Sequence, residues 1–337
     1  MLSSCIPILL QEAGVTIRES GYHCDVVIVG GGAAGLSAAL MLARARYSVV
    51  VVDSGRPRNA TAAHMHGFLS RDGMPPGDLL AAGRAEIGQY GAEFVTGVAT
   101  GVTASEDGVS VEVADSGTIR GRRLLVTTGL TDDLPELPGL AERWGRDVLH
   151  CPFCHGWEVR DQVIGVLSTT PMSMHQATLF RQWSPHLRFL SHTGPALSDT
   201  EVEELTARDI EIIPGEVVGL QITDDRLTGV ELATGTVVEL QALVCGPRFS
   251  ARGDLLAPLG LTPTAHMSGI GDYIATDATG RTAVPGIWAA GNVADPAKQL
   301  IGAAAQGAEV AVAMIDDLIS DDVRGAVAAR RAAVGSK

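Results

Sequence analysis

The chain has 337 residues, 46% apolar and 19% charged, with a formal net charge of −14. Such a composition supports a sizeable core and excludes a disordered chain. The acidic balance argues against nucleic acid or an anionic membrane as partner.

Residues 1–23 carry a weak apolar patch without a positive leading region, so they read as an extension before the first strand rather than a signal peptide. No apolar run is long enough to span a bilayer. The five cysteines are Cys5, Cys24, Cys151, Cys154 and Cys245. They are odd in number and too few for a secreted disulfide framework, which points to a cytoplasmic protein.

The clearest unit is "CDVVIVGGGAAGLSAALMLARARYSVVVVDSG" (24–55). Two β-branched apolar runs flank a Gly-rich turn and a helical stretch, which predicts a βαβ unit with buried parallel strands. Gly30, Gly32 and Gly35 fit G-x-G-x-x-G, with Ala33 and Ala34 between the last two. Gly30 allows the tight turn, Gly32 lets backbone N–H groups approach a pyrophosphate, and Gly35 lets helix and strand pack closely. Asp53, at the end of the second strand, can accept from a ribose hydroxyl, and Ser54 follows it.

A helix entered through proline comes next (74–91), then short alternating strands (92–129) closing on "LLVTTG". The segment 161–247 repeats this plan on a smaller scale: a strand "VIGVL", a helix, a strand "LRFL", another helix and strand, alternating β, and "ALVCGP". That pattern predicts an internal duplication. The last segment, "AVPGIWAAGNVADPAKQLIGAAAQGAEVAVAMIDDLIS", gives a short strand, a loop and a long helix that need the first sheet to return to. The expected fold is therefore α/β, with two Rossmann-like, three-layer ββα nucleotide-binding domains, the second inserted in the first. Residues 24–132 and 248–337 form the outer domain and 133–247 the insert.

The insert carries "CPFCHG" (151–156). A structural zinc site needs four ligands, and only Cys245 lies downstream, so no metal is expected. So short a disulfide loop constrains almost nothing in the unfolded chain. A redox pair fits best, since C-x-x-C lowers one thiol's pKa and His155 can move a proton near neutral pH. In the loop "HMHGFLSRDG" (64–73), His64 and His66 are weaker candidates for a substrate mouth, and Met65, Met172 and Met174 read as packing residues.

"TAVPGIWAAGNVAD" (282–295) resembles the second FAD-binding stretch of the pyridine-nucleotide–disulfide oxidoreductases, and "VTTG" (126–129) resembles their A-T-G turn. The resemblance implies FAD, held by the first loop, Asp53, Ser54, Thr128, Gly129, Gly291, Asn292 and Gln299. Asn292 stands where the family usually has Asp. A cysteine pair in the insert is similar to the low-molecular-weight thioredoxin reductases, which implies a homodimer, Cys154 next to the flavin and Cys151 exchanging with substrate. "C-P-F-C-H-G", with His155 in place of an acid, is closest to the branch that includes gliotoxin- and holomycin-type dithiol oxidases.

The NADPH site of those reductases has no counterpart in the sequence. Where its second Gly-rich loop should fall the chain reads "STTPMSMHQA" (168–177), with Ser168 and Thr170 in the glycine slots, and "SHTGPALS" lacks an arginine pair for a 2′-phosphate. NADPH use is therefore doubtful. The favoured expectation is an oxidase that turns a small-molecule or peptide dithiol into a disulfide with O2 as acceptor, Cys151, Cys154 and His155 being catalytic. The alternatives are a thioredoxin-reductase-like enzyme fed by NADPH or another donor and acting on a thioredoxin-like protein, or a flavin-binding redox sensor.

Overall fold

The computed structural model describes residues 16–18 and 21–335. Most of the extension expected over 1–23 lies outside these residues, but Thr16–Arg18 pair antiparallel with the start of the strand Gly21–Val29. The chain divides into two compact units. One comprises the residues through Arg58, Gly77–Thr131 and those from Ser250 onward; the other comprises Asn59–Pro76 and Asp132–Phe249. The loop 59–76 leaves the first unit in mid-course and packs with the second.

The first unit is built on a parallel sheet in the order Glu93–Thr96, Val49–Asp53, Gly21–Val29, Gly117–Val126, Ile287–Ala289. The antiparallel hairpin Ala99–Ser105 and Gly108–Val113 continues from the near half of Gly117–Val126. Val26, Val27, Ile28 and Val49–Val51 are fully buried, because a parallel strand is covered on both faces. Helices Ala33–Arg44 and Leu300–Gly335 cover one face through Leu36, Leu42 and Met314. Charge ties the long helix down: Arg122 reaches Asp321 at 3.0 Å and Asp322 at 2.6 Å, and Arg123 reaches Asp317 at 2.7 Å.

The second unit repeats the plan with five parallel strands in the order Glu211–Ile213, Leu187–Leu190, Ile164–Leu167, Ala242–Val244, Val148–Leu149. A three-stranded antiparallel sheet, Val217–Thr223, Arg226–Leu232 and Val237–Glu239, packs its inner residues with Leu140 and Leu243. Helix Asp199–Ala207 starts at a complete capping box between Ser198 and Glu201. Both units are Rossmann-like, as the repeated pattern predicts. Of the three methionines expected to pack, Met65 is buried and Met174 lies against the core, but Met172 is exposed at the first turn of its helix. No helix among the described residues is long and apolar enough to cross a membrane.

Candidate active site

In the first unit, Gly30 ends the central strand with φ +110°, and a Cβ there would run into the Thr127 carbonyl. A Cβ at Gly35 would strike the Gly30 carbonyl oxygen. Thr127 Oγ1 donates to Gly30 O at 2.7 Å, so the first loop and the "VTTG" turn are one structure. Asp53 fastens the loop from the other side, accepting from Gly31 N at 2.6 Å and Gly55 N at 2.7 Å. The C-terminal motif joins them. Ala290 N donates to Val126 O at 3.0 Å, and a Cβ at Gly291 (φ +75°) would lie 2.8 Å from Ala34 Cβ. Three motifs far apart in the chain thus meet at the carboxyl ends of parallel strands, where the direction of strand order reverses.

The helix opening at Ala33 has no side-chain cap, and nothing lies within 4 Å of a Cβ placed on Gly32. The space beside Gly32 and the uncapped start of the helix leave room for the approach a pyrophosphate needs. Thr128 Oγ1 donates to Arg252 O at 2.6 Å, and Gly129 (φ +73°) accepts from Arg252 N at 3.0 Å. Ser54 is half-buried beside Asp53. The Asn292 amide donates to Asp295 O at 3.2 Å and Lys298 O at 2.8 Å, which leaves Oδ1 as its acceptor. Gln299 is exposed, and its carbonyl receives Ala303 N at the start of the long helix.

In the second unit, Cys151 and Cys154 form a disulfide with Cα atoms 5.3 Å apart. The chain leaves strand Val148–Leu149, and Pro152 at the first position starts the short helix Pro152–His155, which carries Cys154 one turn on. Both cysteines are partly exposed, with Phe153 and Trp157 exposed beside them. Phe153 meets Trp183 edge-on at 5.8 Å, and the Arg160 guanidinium lies 4.2 Å from the Trp157 ring centre. Burial pushes the His155 pKa below its ordinary value of 6.5, Glu158 opposes that and His66 adds to it, and the net shift favours the neutral imidazole. The other described cysteines are inert, since burial pushes Cys24 and Cys245 up to about 12.

A family model described as pyridine nucleotide-disulphide oxidoreductase matches residues 24–311. The chain belongs to the pyridine nucleotide-disulphide oxidoreductase family. Among curated relatives, thioredoxin reductase sirT of Leptosphaeria maculans is 33% identical over 301 residues, covering 84% of this chain and 90% of that protein. Thioredoxin reductase aclD of Aspergillus oryzae is 33% identical over 88% of this chain and 97% of its own length. Among solved structures, HlmI is 46% identical with a TM-score of 0.87, covering 95% of this chain and 99% of that one. An oxidoreductase from Agrobacterium tumefaciens is 34% identical with a TM-score of 0.83 over 88% of this chain and 99% of its own. This oxidoreductase is thus thioredoxin-reductase-like over nearly its whole length. Membership implies FAD, and the uncapped helix and converging glycines of the first unit fit its pyrophosphate.

The corresponding loop of the second unit is built differently from that of a dinucleotide site. Ser173 is 1% exposed, and its hydroxyl accepts from Thr169 N at 3.2 Å and Thr170 N at 3.4 Å. The N–H groups that would face a pyrophosphate are turned onto the protein's own side chain. Outside the loop lies a cleft of about 380 Å³ whose lining includes Asp133, Glu136 and Glu216, with Arg248 and His192 as the basic groups. Three carboxylates disfavour a phosphate there.

The structure also brings in residues that spacing gave no reason to select. Gln306, on the long helix, accepts from Gly291 N at 2.9 Å. Of the two loop histidines, His64 is exposed, whereas His66 reaches the turn after the redox helix: its Nε2 lies 3.3 Å from Glu158 Oε1. His66 was a candidate only through its place in the His- and Gly-rich loop 64–73, and nothing local pointed to Glu158.

Proposed function

We propose that the protein is an FAD-dependent dithiol oxidase that converts a small-molecule or peptide dithiol to its disulfide, with O2 as final acceptor. A substrate thiol loses its proton to neutral His155 and attacks Cys151. A bond forms between the substrate sulfur and Cys151 Sγ, the Cys151–Cys154 bond breaks, and the electron pair stays on Cys154 as thiolate. The second substrate thiol then displaces Cys151, which takes that thiol's proton, and the substrate leaves oxidised. FAD held by the Gly30–Gly35 loop and its partners would supply the two-electron acceptor for the reduced pair and the reactivity toward oxygen that yields hydrogen peroxide.

The observation that carries this reading is the contrast between the two loops. The first leaves its helix N-terminus open, and the second closes its N–H groups on Ser173 beside an acidic cleft. Without a phosphate cradle NADPH binds weakly, and electrons enter through the cysteine pair instead. His155 supports the same direction. A reductase needs a proton donor after the second cysteine, whereas oxidation of a thiol needs an acceptor, and burial keeps this imidazole neutral. The exposed rings of Phe153 and Trp157 suit an apolar or aromatic substrate carrying the dithiol.

The test is aerobic turnover of the FAD-loaded protein with dithiothreitol and no NADPH. The expected result is one hydrogen peroxide per disulfide formed, with oxygen uptake cut in half by catalase. Steady NADPH consumption coupled to disulfide reduction, with no peroxide from dithiols, would overturn the proposal.

A further inference from the structure

The loop 59–76 is well tied for a surface segment. Met65 N donates to Met74 O at 3.0 Å and Gly73 N to Met65 O at 2.9 Å, while the Met65 side chain is buried. Gly67 N donates to Asp72 Oδ1 at 2.9 Å. This folding places the His66 ring between two carboxylates: Nδ1 is 3.3 Å from Asp72 Oδ2 and Nε2 is 3.3 Å from Glu158 Oε1. Glu158 is itself held to the redox helix, its N–H donating to the His155 carbonyl at 3.2 Å. Carboxylate, imidazole and carboxylate thus follow one another from Asp72 to Glu158, whose backbone is bonded to that of the histidine beside Cys154. Glu158 and His66 are the side chains whose electrostatics act on His155, Glu158 raising its pKa and His66 lowering it.

We propose that His66 and Glu158 are positioning residues of the thiol chemistry: His66, clamped by Asp72, holds the Glu158 carboxylate toward His155, and the three groups carry the proton that His155 takes from the substrate thiol out to water. The inference rests on the dithiol-oxidase reading, in which His155 takes the proton of the attacking thiol, so the groups that hold and discharge His155 set the rate of that attack. The balance is simple. One thiol proton goes to His155 when the substrate–Cys151 bond forms, and it passes by way of Glu158 and His66 to solvent, leaving His155 neutral again. No electrons travel along this chain. An exposed carboxylate alone would serve poorly, because Glu158 on a turn samples many rotamers, and its bond to His66 selects one of them.

The two groups act as one device, so their removal is not additive. The experiment measures the first-turnover rate at which dithiothreitol reduces the Cys151–Cys154 disulfide of the holoenzyme. Mixing is anaerobic, followed by acid quench, alkylation and mass measurement, from pH 5.5 to 9. The variants are Glu158→Gln, His66→Gln and the double variant. Asp72→Asn, which keeps an acceptor for Gly67 N but removes the charge, reports on the clamp without touching His66. Each single variant is expected to slow the step by about tenfold at pH 7, a typical fraction of a general-base effect, and the double variant by no more than the slower single one. The pH midpoint should move in opposite directions: down for Glu158→Gln, since Glu158 raises the His155 pKa, and up for His66→Gln, since His66 lowers it. Asp72→Asn should show a smaller loss of the same kind. Rates within twofold of wild type, or losses that multiply in the double variant, would overturn the inference. His155→Gln serves as the control for the underlying reading. If it too leaves the rate unchanged, the role of His155 as base fails, a different result from the failure of the His66–Glu158 pair alone.

Discussion

Replacing His155 by glutamine removes the proton acceptor while keeping a hydrogen-bonding side chain of similar size. An ordinary thiol has a pKa of about 8.5, so only about 3% is thiolate at pH 7. Without a base, attack on Cys151 depends on that fraction alone. The loss at pH 7 is then about 30-fold, or about 2 kcal/mol at 1.36 kcal/mol per decade. As pH rises the substrate ionises by itself, so the gap should shrink to about twofold near pH 8.5, where half the thiol is thiolate. The wild-type profile has its own signature. Burial drives the His155 pKa down, with Glu158 opposing and His66 adding, so the base is protonated and silent only as pH falls below a value under 6.5. The assay is stopped-flow reduction of the holoenzyme by dithiothreitol across pH. A His155→Gln protein as fast as wild type at pH 7, or a 30-fold gap that persists undiminished at pH 9, would refute the assignment.

Gly30→Ala places a Cβ against the Thr127 carbonyl at φ +110°. It should cost at least about 1–2 kcal/mol from the backbone conformation alone, read as a lower Tm, and the purified protein should carry less FAD. Cys151→Ser in the FAD-loaded protein should show a long-wavelength charge-transfer band from Cys154 thiolate, and Cys154→Ser should not; the reverse pattern contradicts the roles given to the two sulfurs. Arg143 is buried between Asp147 and Asp225, its Nη1 2.6 Å from Asp225 Oδ1. Arg143→Ala should cost about 3–5 kcal/mol at neutral pH, because Asp147 is left with an unpaired charge. Burial raises the Asp147 pKa, but Arg143 and the Leu227 N–H outweigh it and hold the carboxyl below its usual 3.8. The stabilisation by Arg143 is therefore present above about pH 4 and lost as pH falls below it, so urea titrations of wild type and variant should converge in acid.

The first loop was legible from local chemistry. Strand, glycines, helix and Asp53 lie within a single βαβ unit, and Gly35 meets the Gly30 carbonyl inside it, whereas the clash at Gly30 is with the distant Thr127 carbonyl. The cysteine pair was legible for the same reason. The clasp between loops was not: Gly291 against Ala34, and Gln306 on the Gly291 N–H, depend on how the last strand returns to the sheet. The missing glycines at Ser168 and Thr170 could be read from the sequence. That Ser173 reaches back to cap Thr169 N and Thr170 N could not, since a serine inside a helix commonly bonds to the preceding turn or to water. The pairing of His66 with Glu158 was hidden most deeply, because it follows from the loop 59–76 packing with the second unit rather than the first. Met172, read as a packing residue by its type, sits in the exposed first turn after Pro171, where the helix has not yet reached the core.

The direction of electron flow is tested most directly by anaerobic mixing of the FAD-loaded protein with either a dithiol or NADPH while the flavin absorbance is followed. The account predicts fast bleaching by dithiothreitol, abolished in Cys151→Ser, and slow or no bleaching by NADPH. Rapid bleaching by NADPH, with none by dithiols, would contradict it.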